Sequence, residues 1–371
     1  MKFNCNQQTL SRALNTVSKA VSTRTTMPVL KGILLEAKED GSLNLTASDL
    51  EISIRKEISI HVKNPGSAVI ASKLFSDIIR KLPNEEIFIE STDDNKVIIK
   101  TNSSEFTVLG FPVDEFPGIG DMEAKNENLI FDREIFRDMV NKTSFAASID
   151  ETRGLLVGIL TEIGTEKVTM VALDGFRLAL ANEVMKSEEE NKFIISARIM
   201  NEINKIISED EEEENINISL GEKRAVFRIG STEITVRLME GEFVRYRDII
   251  PDDTTISMTV GRAVLLGSIE RASLLAKEGK NNLIKMSIKD DLLTITSRSE
   301  EGNVREEIVM EKTGDDLEIG FNSKYVMDVL KSIDDEQISM NFRTGISPCV
   351  VRPVEGDAYE YLVLPVRIPA M

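Results

Sequence analysis

The sequence is poor in the residues from which catalytic and metal sites are usually built. It has one histidine, His61, and two cysteines, Cys5 and Cys349, among 371 residues. A Ser-His-Asp triad or a zinc site would have to be built around one residue of the alternating segment ISIHVK. Two thiols are too few for a disulfide framework and fit a reducing compartment. We therefore expect no catalytic residue, no metal and no cofactor, and two buried, inert thiols.

Several binding motifs and all long apolar runs are missing as well. The sequence has no GxxxxGK[ST], no GxGxxG after a strand, no HExxH and no calcium-loop spacing. No stretch approaches the roughly 18 apolar residues of a membrane span, and the start MKFNCNQQTL lacks the apolar run of a signal peptide. These absences predict a cytoplasmic protein that is not bound to a membrane, and they leave a hydrolase or nuclease without a suitable set of residues.

Positive charge is also in short supply. Lys and Arg number 45 against 63 Asp and Glu, which gives a net charge of -18. Because a phosphate backbone is held by Lys and Arg, this total argues against nucleic acid unless the two signs are separated in space. The densest acidic run, SEDEEEEN at 208–215, is typical of a solvated loop.

The sequence contains three copies of one pattern. TASDLEISIR at 46–55 and VALDGFRLAL at 171–180 share Ala and Asp at an offset of 125 residues. The same offset places VIASKLFSDIIRKL (69–82) on IISARIMNEINKII (194–207), and an offset of 251 places it on GFNSKYVMDVLKSI (320–333). A period this long is too great for a solenoid unit and indicates duplicated domains.

Each copy combines two amphipathic helices with alternating segments that are typical of half-buried strands. The helices are predicted at 7–24, 72–82, 132–143, 196–207, 261–280 and 322–333, and Ser or Asn precedes the second helix of each copy as a candidate N-cap. Boundaries near residues 122 and 252 give three domains, at 1–122, 127–251 and 254–371, which we call repeats one, two and three. The fold class is α+β.

Basic residues recur seven positions apart on these helices, opposite the apolar stripes. The pairs are Arg12 with Lys19, Lys73 with Arg80, Arg198 with Lys205, and Lys324 with Lys331. Lys and Arg outnumber Asp and Glu on the predicted helices, whereas the rest of the chain is strongly acidic. If the helices share one side of the assembly, that side attracts a polyanion without reading its sequence. On any single helix, such residues are also ordinary solubilising surface.

Together with the three repeats, five segments resemble the bacterial sliding clamp, the beta subunit of DNA polymerase III, in their order and spacing. They are LTASDLE, VALDGFRLA, GEFVRYRDIIP, IGFNSKYVMDVL and YLVLPVRI. The resemblance covers the whole chain. It implies three equivalent domains, each with two helices backed by antiparallel sheets, and two chains that close into a ring with the helices inside. The function it implies is that of a non-catalytic processivity factor, which encircles duplex DNA without sequence specificity. The implied partners of the homodimer are the replicative polymerase, the clamp loader and repair proteins, all bound through short linear motifs.

The resemblance also implies three sets of site residues. An apolar peptide-binding pocket is placed at Leu156, Leu173, Gly175, Phe176, Arg177, Leu178, Val244, Ile249, Ile346, Pro348, Leu362, Leu364, Pro365, Val366 and Arg367. The dimer interface is placed at Leu74, Leu82, Phe106 and Val108 of repeat one and at Leu274 and Leu275 of repeat three. Arg24 matches a DNA-contacting position, and with Arg137, Lys277 and the seven-spaced pairs it completes the expected DNA-binding set.

The chain departs from the family pattern at four positions. Phe176 replaces a histidine and Asp248 replaces an arginine at the pocket, and Gly154 and Leu155 replace aromatic residues at a DNA-contacting position. Different polar contacts in the pocket and different DNA contacts in repeat two follow from these changes. A second interpretation of the sequence is a peptide-binding scaffold that uses the same pocket but never encircles DNA. From the residues alone, VALDGFRLAL is also consistent with a turn followed by a buried strand.

Overall fold

The computed structural model describes residues 1–22, 25–118, 128–209, 213–279 and 281–368. Its backbone packing forms two compact units. The first unit is Met1–Glu134 with Glu202–Leu238, and the second unit is Ile135–Asn201 with Met239–Met371. None of the helices in these described ranges is long and apolar enough to cross a membrane.

The described residues form six α-helices. These are α1 Gln7–Val17, α2 Ser72–Lys81, α3 Arg133–Ser144, α4 Ala197–Glu209, α5 Arg262–Ala276 and α6 Ser323–Lys331. Short 3₁₀ helices occur at Ser18–Ala20, Pro28–Lys31, Val113–Glu115, Glu151–Val157 and Tyr246–Ile249.

Twenty-six strands accompany the helices in the described ranges. The strands of repeat one are β1 Lys2–Asn6, β2 Gly32–Ala37, β3 Ser42–Ser48, β4 Ile52–Ser59, β5 His61–Asn64, β6 Gly66–Ala71, β7 Glu86–Ser91, β8 Lys96–Lys100 and β9 Glu105–Leu109. Those of repeat two are β10 Asn128–Asp132, β11 Gly158–Ile163, β12 Lys167–Leu173, β13 Arg177–Val184, β14 Asn191–Ser196, β15 Asn215–Leu220, β16 Arg224–Ile229 and β17 Thr232–Arg237. Those of repeat three are β18 Ile256–Gly261, β19 Leu283–Lys289, β20 Leu292–Ser299, β21 Gly302–Val309, β22 Glu311–Thr313, β23 Leu317–Asn322, β24 Gln337–Phe342, β25 Cys349–Pro353 and β26 Tyr359–Val363.

The first unit contains a five-stranded sheet, β5-β1-β7-β8-β9, and an eight-stranded sheet, β10-β15-β16-β17-β4-β3-β2-β6. The larger sheet joins repeats one and two, because β17 pairs antiparallel with β4. Helix α1 packs against α2 and β4. Its predicted apolar stripe is buried, including Leu10, Leu14 and Val17.

The second unit is built in the same way from repeats two and three. Its nine-stranded sheet, β14-β11-β12-β13-β26-β25-β24-β18-β22, joins the two repeats through the antiparallel pair β13 and β26. A four-stranded sheet, β21-β20-β19-β23, lies under α5, which also packs against α6. Leu265, Ile269 and Ala272 supply the buried face of α5. The expected α+β class, with antiparallel sheets, is confirmed.

Several helix ends and one N-cap differ from the prediction. The fifth helix ends at Ala276 rather than at residue 280, so Lys277 lies beyond it. The first helix ends at Val17 rather than at residue 24, and a 3₁₀ turn follows, so Lys19 lies beyond the α-helix. β-branched Thr16 and Val17 lower helix propensity at this end. The N-cap prediction holds for α6, where the Asn322 side chain accepts a hydrogen bond from the Lys324 amide at 3.0 Å. It is wrong for α2, where Ala71 occupies the cap and the Ser72 hydroxyl lies 3.1 Å from the hydroxyl of Ser18.

Candidate functional site

The segment VALDGFRLAL forms a hairpin whose turn is fixed by Asp174. One oxygen of its side chain, Oδ1, accepts hydrogen bonds from the amides of Phe176 at 2.8 Å and Arg177 at 3.1 Å. Gly175 has φ 89°, a left-handed conformation that glycine adopts without strain. The turn therefore places Phe176 outside the sheet and starts β13 at Arg177.

Arg177 is the most extensively bonded residue of this site. Its guanidinium donates to the carboxylates of Asp174 at 3.1 Å and Asp328 at 2.5 Å, and to the carbonyl oxygen of Phe145 at 2.7 Å. It also lies over the Tyr325 ring, 4.7 Å from the centroid. Because the side chain is buried and each of its three guanidinium nitrogens donates a hydrogen bond, Arg177 stabilises the hairpin and its neighbours rather than offering a free charge.

Phe176 occupies the position at which the family pattern has a histidine, and it is exposed at the turn. Its side chain is 52% exposed, and its ring stacks on Tyr325 with centroids 6.0 Å apart. Partial burial, followed by the negative charge of Asp174, raises the pKa of Tyr325 above its usual value. Phe176 and Tyr325 together present an apolar face where a histidine would have presented a polar one.

The predicted apolar pocket residues on β12, β13 and β26 belong to a cluster of buried apolar side chains. Leu173 pairs with Leu178, and Leu178 pairs with Leu362 across the sheet. Leu155 and Leu156 are partly buried against this cluster. Leu155, which replaces an aromatic residue of the family pattern, thus packs against the buried cluster.

The residues after β26 are bonded to the Phe176 turn and to Gly320. The Leu364 amide donates to the Phe176 carbonyl oxygen at 2.9 Å, and the Val366 amide donates to the Gly320 carbonyl oxygen at 2.8 Å. These two bonds hold Leu364, Pro365 and Val366, all partly buried, beside the Phe176 turn. The segment is therefore tied both to the hairpin and to β23.

The remaining predicted pocket residues lie at more exposed positions. Val244, Ile249, Ile346 and Arg367 are exposed, and Pro348 is partly buried. Of the other departures from the family pattern, Asp248 is exposed in the 3₁₀ helix Tyr246–Ile249, and Gly154 has φ 61° within Glu151–Val157. Exposed large apolar residues such as Ile346 and Val244 are typical of interaction surfaces.

Reasoning from the sequence missed four residues that hold Arg177: Asp174, Asp328, Phe145 and Tyr325. The alignment of repeats offered two signals, because Asp174 falls on Asp49 at the offset of 125 and Asp328 falls on Asp77 at the offset of 251. The chain separation of 151 residues between Asp328 and Arg177 left no local pattern to find.

Eight of the eleven predicted DNA-binding residues divide into two groups, according to whether they pair with a carboxylate. Four are exposed and form no ion pair within the described residues: Arg12, Lys73, Lys277 and Lys324. Four others pair with carboxylates: Lys19 with Glu209 at 2.5 Å, Arg80 with Asp77, Lys205 with Glu202 at 2.8 Å, and Lys331 with Glu270 at 3.0 Å. Arg198 is exposed on α4, Arg137 is partly buried on α3, and Arg24 lies outside the described residues.

The predicted interface residues also differ in exposure. Leu74 on α2 is 50% exposed and Leu274 on α5 is 66% exposed, while Phe106 on the edge strand β9 is partly open to solvent. Leu275 is partly buried. Leu82 and Val108 are buried within the chain, and they therefore offer little area to a partner.

The histidine and the two cysteines differ in exposure. His61 is exposed on β5. Burial, followed by the charge of Glu86, raises the pKa of the Cys5 thiol to about 12, and burial also raises the pKa of Cys349. Within the described ranges, no three His, Cys, Asp or Glu side chains are grouped as a metal site would require.

Comparison with known proteins covers the full chain. Family models of the DNA polymerase III beta subunit match residues 1–120 (N-terminal domain), 131–244 (central domain) and 247–367 (C-terminal domain). The beta sliding clamp of Staphylococcus epidermidis is 33% identical over 378 residues, covering 99% of both chains.

Solved structures give the same result for the fold. A DNA polymerase sliding clamp from Bacillus subtilis superposes with a TM-score of 0.95 at 31% identity and covers 100% of both chains. A putative DNA polymerase III beta subunit from Eubacterium rectale gives 0.95 at 32% identity, covering 99% of this chain and 100% of its own. The chain therefore belongs to the DNA polymerase III beta subunit family, the cytoplasmic beta sliding clamps, which are non-catalytic processivity factors of DNA polymerase with a three-domain clamp fold.

Proposed function

We propose that two copies of this chain close into a ring around duplex DNA and bind the replicative polymerase, the clamp loader and repair proteins through the pocket at Leu173, Leu178 and Leu362. The observation that carries the proposal is this apolar cluster. It is walled by the Phe176 turn and by residues 364–366, and it lies in a chain that matches the clamp family throughout. A ring that holds DNA by topology needs only weak contacts that do not depend on base sequence.

The ring is supported by an exposed apolar residue beside a sheet edge in each unit. In the first unit Leu74 and Phe106 are exposed, and β9 is an edge strand. In the second unit Leu274 is exposed on α5, which packs against the edge strand β21. Because an edge strand presents unpaired backbone groups, these surfaces are suited to pairing with a second chain.

Sedimentation of the purified protein at micromolar concentration tests the dimer. Leu274→Asp should weaken it, because a carboxylate would be buried without a partner in the interface. Val264→Asp is the matched control, since Val264 is also an exposed apolar residue on α5. A wild-type monomer, or equal weakening by both variants, would contradict this interface.

Retention on DNA tests the ring against a scaffold that binds peptides but does not encircle DNA. A loaded ring should remain on circular DNA and slide off linear DNA, whereas the scaffold would show no difference between the two. The exposed basic residues without carboxylate partners are the most direct targets, because each is available to a phosphate. We expect the triple variant Arg12→Glu, Lys73→Glu and Lys324→Glu to lower loading and to reduce the salt dependence of residence.

The matched control places the same charge change on strands. Arg224, Lys289 and Arg298 are exposed on β16, β19 and β20, and none forms an ion pair with a described residue. Their replacement by Glu should have much less effect per site. A second test set, Arg80→Glu, Lys205→Glu and Lys331→Glu, should act more weakly than the first, because carboxylates already neutralise those side chains. Equal loss in the helix and strand sets would contradict the assignment of DNA contacts to the helices.

Binding of a short peptide with a Gln and a few apolar residues tests the pocket. Ending the chain after Val363 removes the bonds of Leu364 and Val366 but keeps β26 intact, so we expect the sheet to fold and peptide binding to be lost. Circular dichroism and thermal unfolding would establish that the fold persists. Unchanged affinity in the folded, truncated protein would show that the peptide binds elsewhere.

A further inference from the structure

The second unit has an open groove on the sheet that carries the apolar pocket. Its volume is about 380 Å³, which lies within the usual range for ligand sites. Its apolar surface comes from Leu180, Tyr246, Ile250 and Pro251. Polar side chains complete it, and they come from β12, β13, β25, β26 and the loops at Arg247–Asp252 and Gly356–Asp357.

The groove continues from the proposed peptide pocket. Leu180 follows Leu178 by two residues on β13, and Glu360 precedes Leu362 by two residues on β26, so each pair lies on one face of the sheet. Leu180 and Tyr246 belong to the same apolar cluster as Leu178 and Leu362. A peptide that fills the pocket and continues along these strands would therefore enter the groove.

Most of the polar groups in the groove already have partners. Arg352 pairs with Glu360, and the Thr169 hydroxyl donates to the side-chain oxygen of Asn182 at 2.8 Å. The amide nitrogen of Asn182 donates to the carbonyl oxygen of Asp357 at 2.9 Å. These pairs hold the groove in shape without a ligand.

Arg247 is neutralised in the same way by Glu162, at 2.7 Å. Partial burial opposes ionisation of Glu162, but hydrogen bonds from the Tyr246 hydroxyl and from Arg247 outweigh it and hold the pKa of Glu162 below its usual value. The carboxylate therefore stays charged at neutral pH.

Three charged side chains lining the groove have no ion pair within the described residues. Lys167 is one, and the carboxylates of Asp252 and Asp357 are the other two. All three are exposed, and acidic charge exceeds basic charge among them by one. Since opposite charges across an interface favour binding, this surface favours a cation.

We propose that the groove binds the residues that flank the apolar motif of a partner peptide, and that it prefers a lysine or arginine there. The proposal rests on the proposed peptide pocket and extends it from an apolar site to one with two parts. Ile250 and Pro251, which are partly buried, would contact the stem of the basic side chain, and Asp252 and Asp357 would attract its charged end.

Three sets of synthetic peptides test the proposal by fluorescence anisotropy. All carry the same Gln-containing apolar motif, and on one side or the other they carry an extension with Arg, Ala or Glu. At low salt we expect the Arg extension on the side that enters the groove to bind about five-fold more tightly than the Glu extension, as exposed charge pairs allow. The difference should shrink at high salt.

Because the whole chain carries a net charge of -18, a general attraction for basic peptides must be separated from an effect of the groove. The double variant Asp252→Asn and Asp357→Asn should remove most of the preference for Arg. Asp315→Asn, at an exposed position outside the groove, should leave it unchanged. Sedimentation of the same variants should show an unaltered dimer.

Four outcomes would overturn the proposal. If the motif alone binds and no extension changes its affinity, the groove has no part in binding, although the peptide pocket stands. If the motif does not bind, both the proposed peptide pocket and the proposed role of the groove are wrong. If the double variant and Asp315→Asn change the preference for Arg equally, the preference arises from the net charge of the whole chain and not from the groove. A loss of dimer in the double variant would identify the groove as a contact between copies of the chain.

Discussion

The hairpins at Asp49 and Asp174 have the same backbone and different chemistry. In both, the Asp side chain accepts hydrogen bonds from the amides two and three residues later: Glu51 and Ile52 in the first unit, Phe176 and Arg177 in the second. The next position after each Asp has positive φ, 76° at Leu50 and 89° at Gly175. The shared Asp is therefore a feature of the turn and does not by itself mark a binding site.

The strands around the two turns also keep the same register. Ser48 pairs with Ser53, and Ser53 pairs with Thr235, at the positions where Leu173 pairs with Leu178 and Leu178 pairs with Leu362. The two serine hydroxyls lie 2.7 Å apart, whereas the leucines belong to a buried apolar cluster. On the same backbone, the side chains at these three positions form an apolar cluster in the second unit and a polar group in the first.

Arg177 offers the largest test of this difference, because the matching position in the first unit is Ile52, which needs no ionic partner. Arg177→Ala leaves the partly buried carboxylates of Asp174 and Asp328 without their counter-charge, and we expect a loss of about 4 kcal/mol in the free energy of unfolding. Urea denaturation measures it. Arg228→Ala removes an exposed arginine that pairs with Glu233, and should cost less than about 1 kcal/mol. Similar losses in the two variants would show that the Arg177 network does not stabilise the unit.

A second test exchanges packing at equivalent positions. Leu178→Ala opens a cavity in the apolar cluster and should lower the free energy of unfolding by about 3 kcal/mol, with a large loss of peptide affinity. Ser53→Ala removes one hydroxyl of the Ser48 pair and should cost about 1 kcal/mol, without changing peptide affinity. Denaturation and peptide titration of both variants measure the contrast. Peptide binding that depends equally on the two positions would place a second peptide site in the first unit.

The sequence was sufficient for the repeats, the amphipathic helices and the turn, because these depend on residues close together in the chain. The 125-residue offset correctly aligned Ser53 with Leu178, as the register of both hairpins shows. It could not show that β17 pairs with β4 or that β26 pairs with β13, since alternation identifies a strand but not its neighbour.

The electrostatic partners of the site residues were likewise beyond the sequence. Helical spacing gave the faces of Lys205 and Lys331 but could not show that Glu202 and Glu270 neutralise them. One of the three hydrogen bonds of the Arg177 guanidinium depends on Asp328, which is distant in the chain. Ion pairs between separate elements depend on tertiary packing, and periodicity contains no information about it.

A third test concerns the 3₁₀ helix Tyr246–Ile249, whose Tyr246 belongs to the apolar cluster of the second unit. Glu162 binds the Tyr246 hydroxyl and Arg247, and these bonds lower its folded pKa below the unfolded value of about 4.3. Its contribution is therefore fully present above about pH 4.3 and is lost as pH falls through the folded pKa. We expect Glu162→Gln to cost about 1 kcal/mol at pH 7, and the difference from wild type to close in acid. Glu222→Gln, at an exposed position, is the control. If the stability difference between Glu162→Gln and wild type persists below pH 3, it does not arise from the ionised Glu162 carboxylate.

The smallest effect is expected from the positive-φ residues of the two turns. Leu50 is exposed and holds a conformation that costs a non-glycine residue about 1 kcal/mol, so Leu50→Gly relieves strain but increases the entropy of the unfolded chain. These terms nearly cancel, and we expect a change within about 0.5 kcal/mol. The reverse change is not neutral, because Gly175→Leu adds the same strain and places a Cβ 3.1 Å from the Arg153 guanidinium. It should cost about 1 kcal/mol or more and weaken peptide binding beside Phe176, as thermal denaturation and peptide titration would show. If Leu50→Gly raises the free energy of unfolding by as much as Gly175→Leu lowers it, backbone strain alone accounts for the difference between the turns. The side chains around Gly175 would then have no part in it.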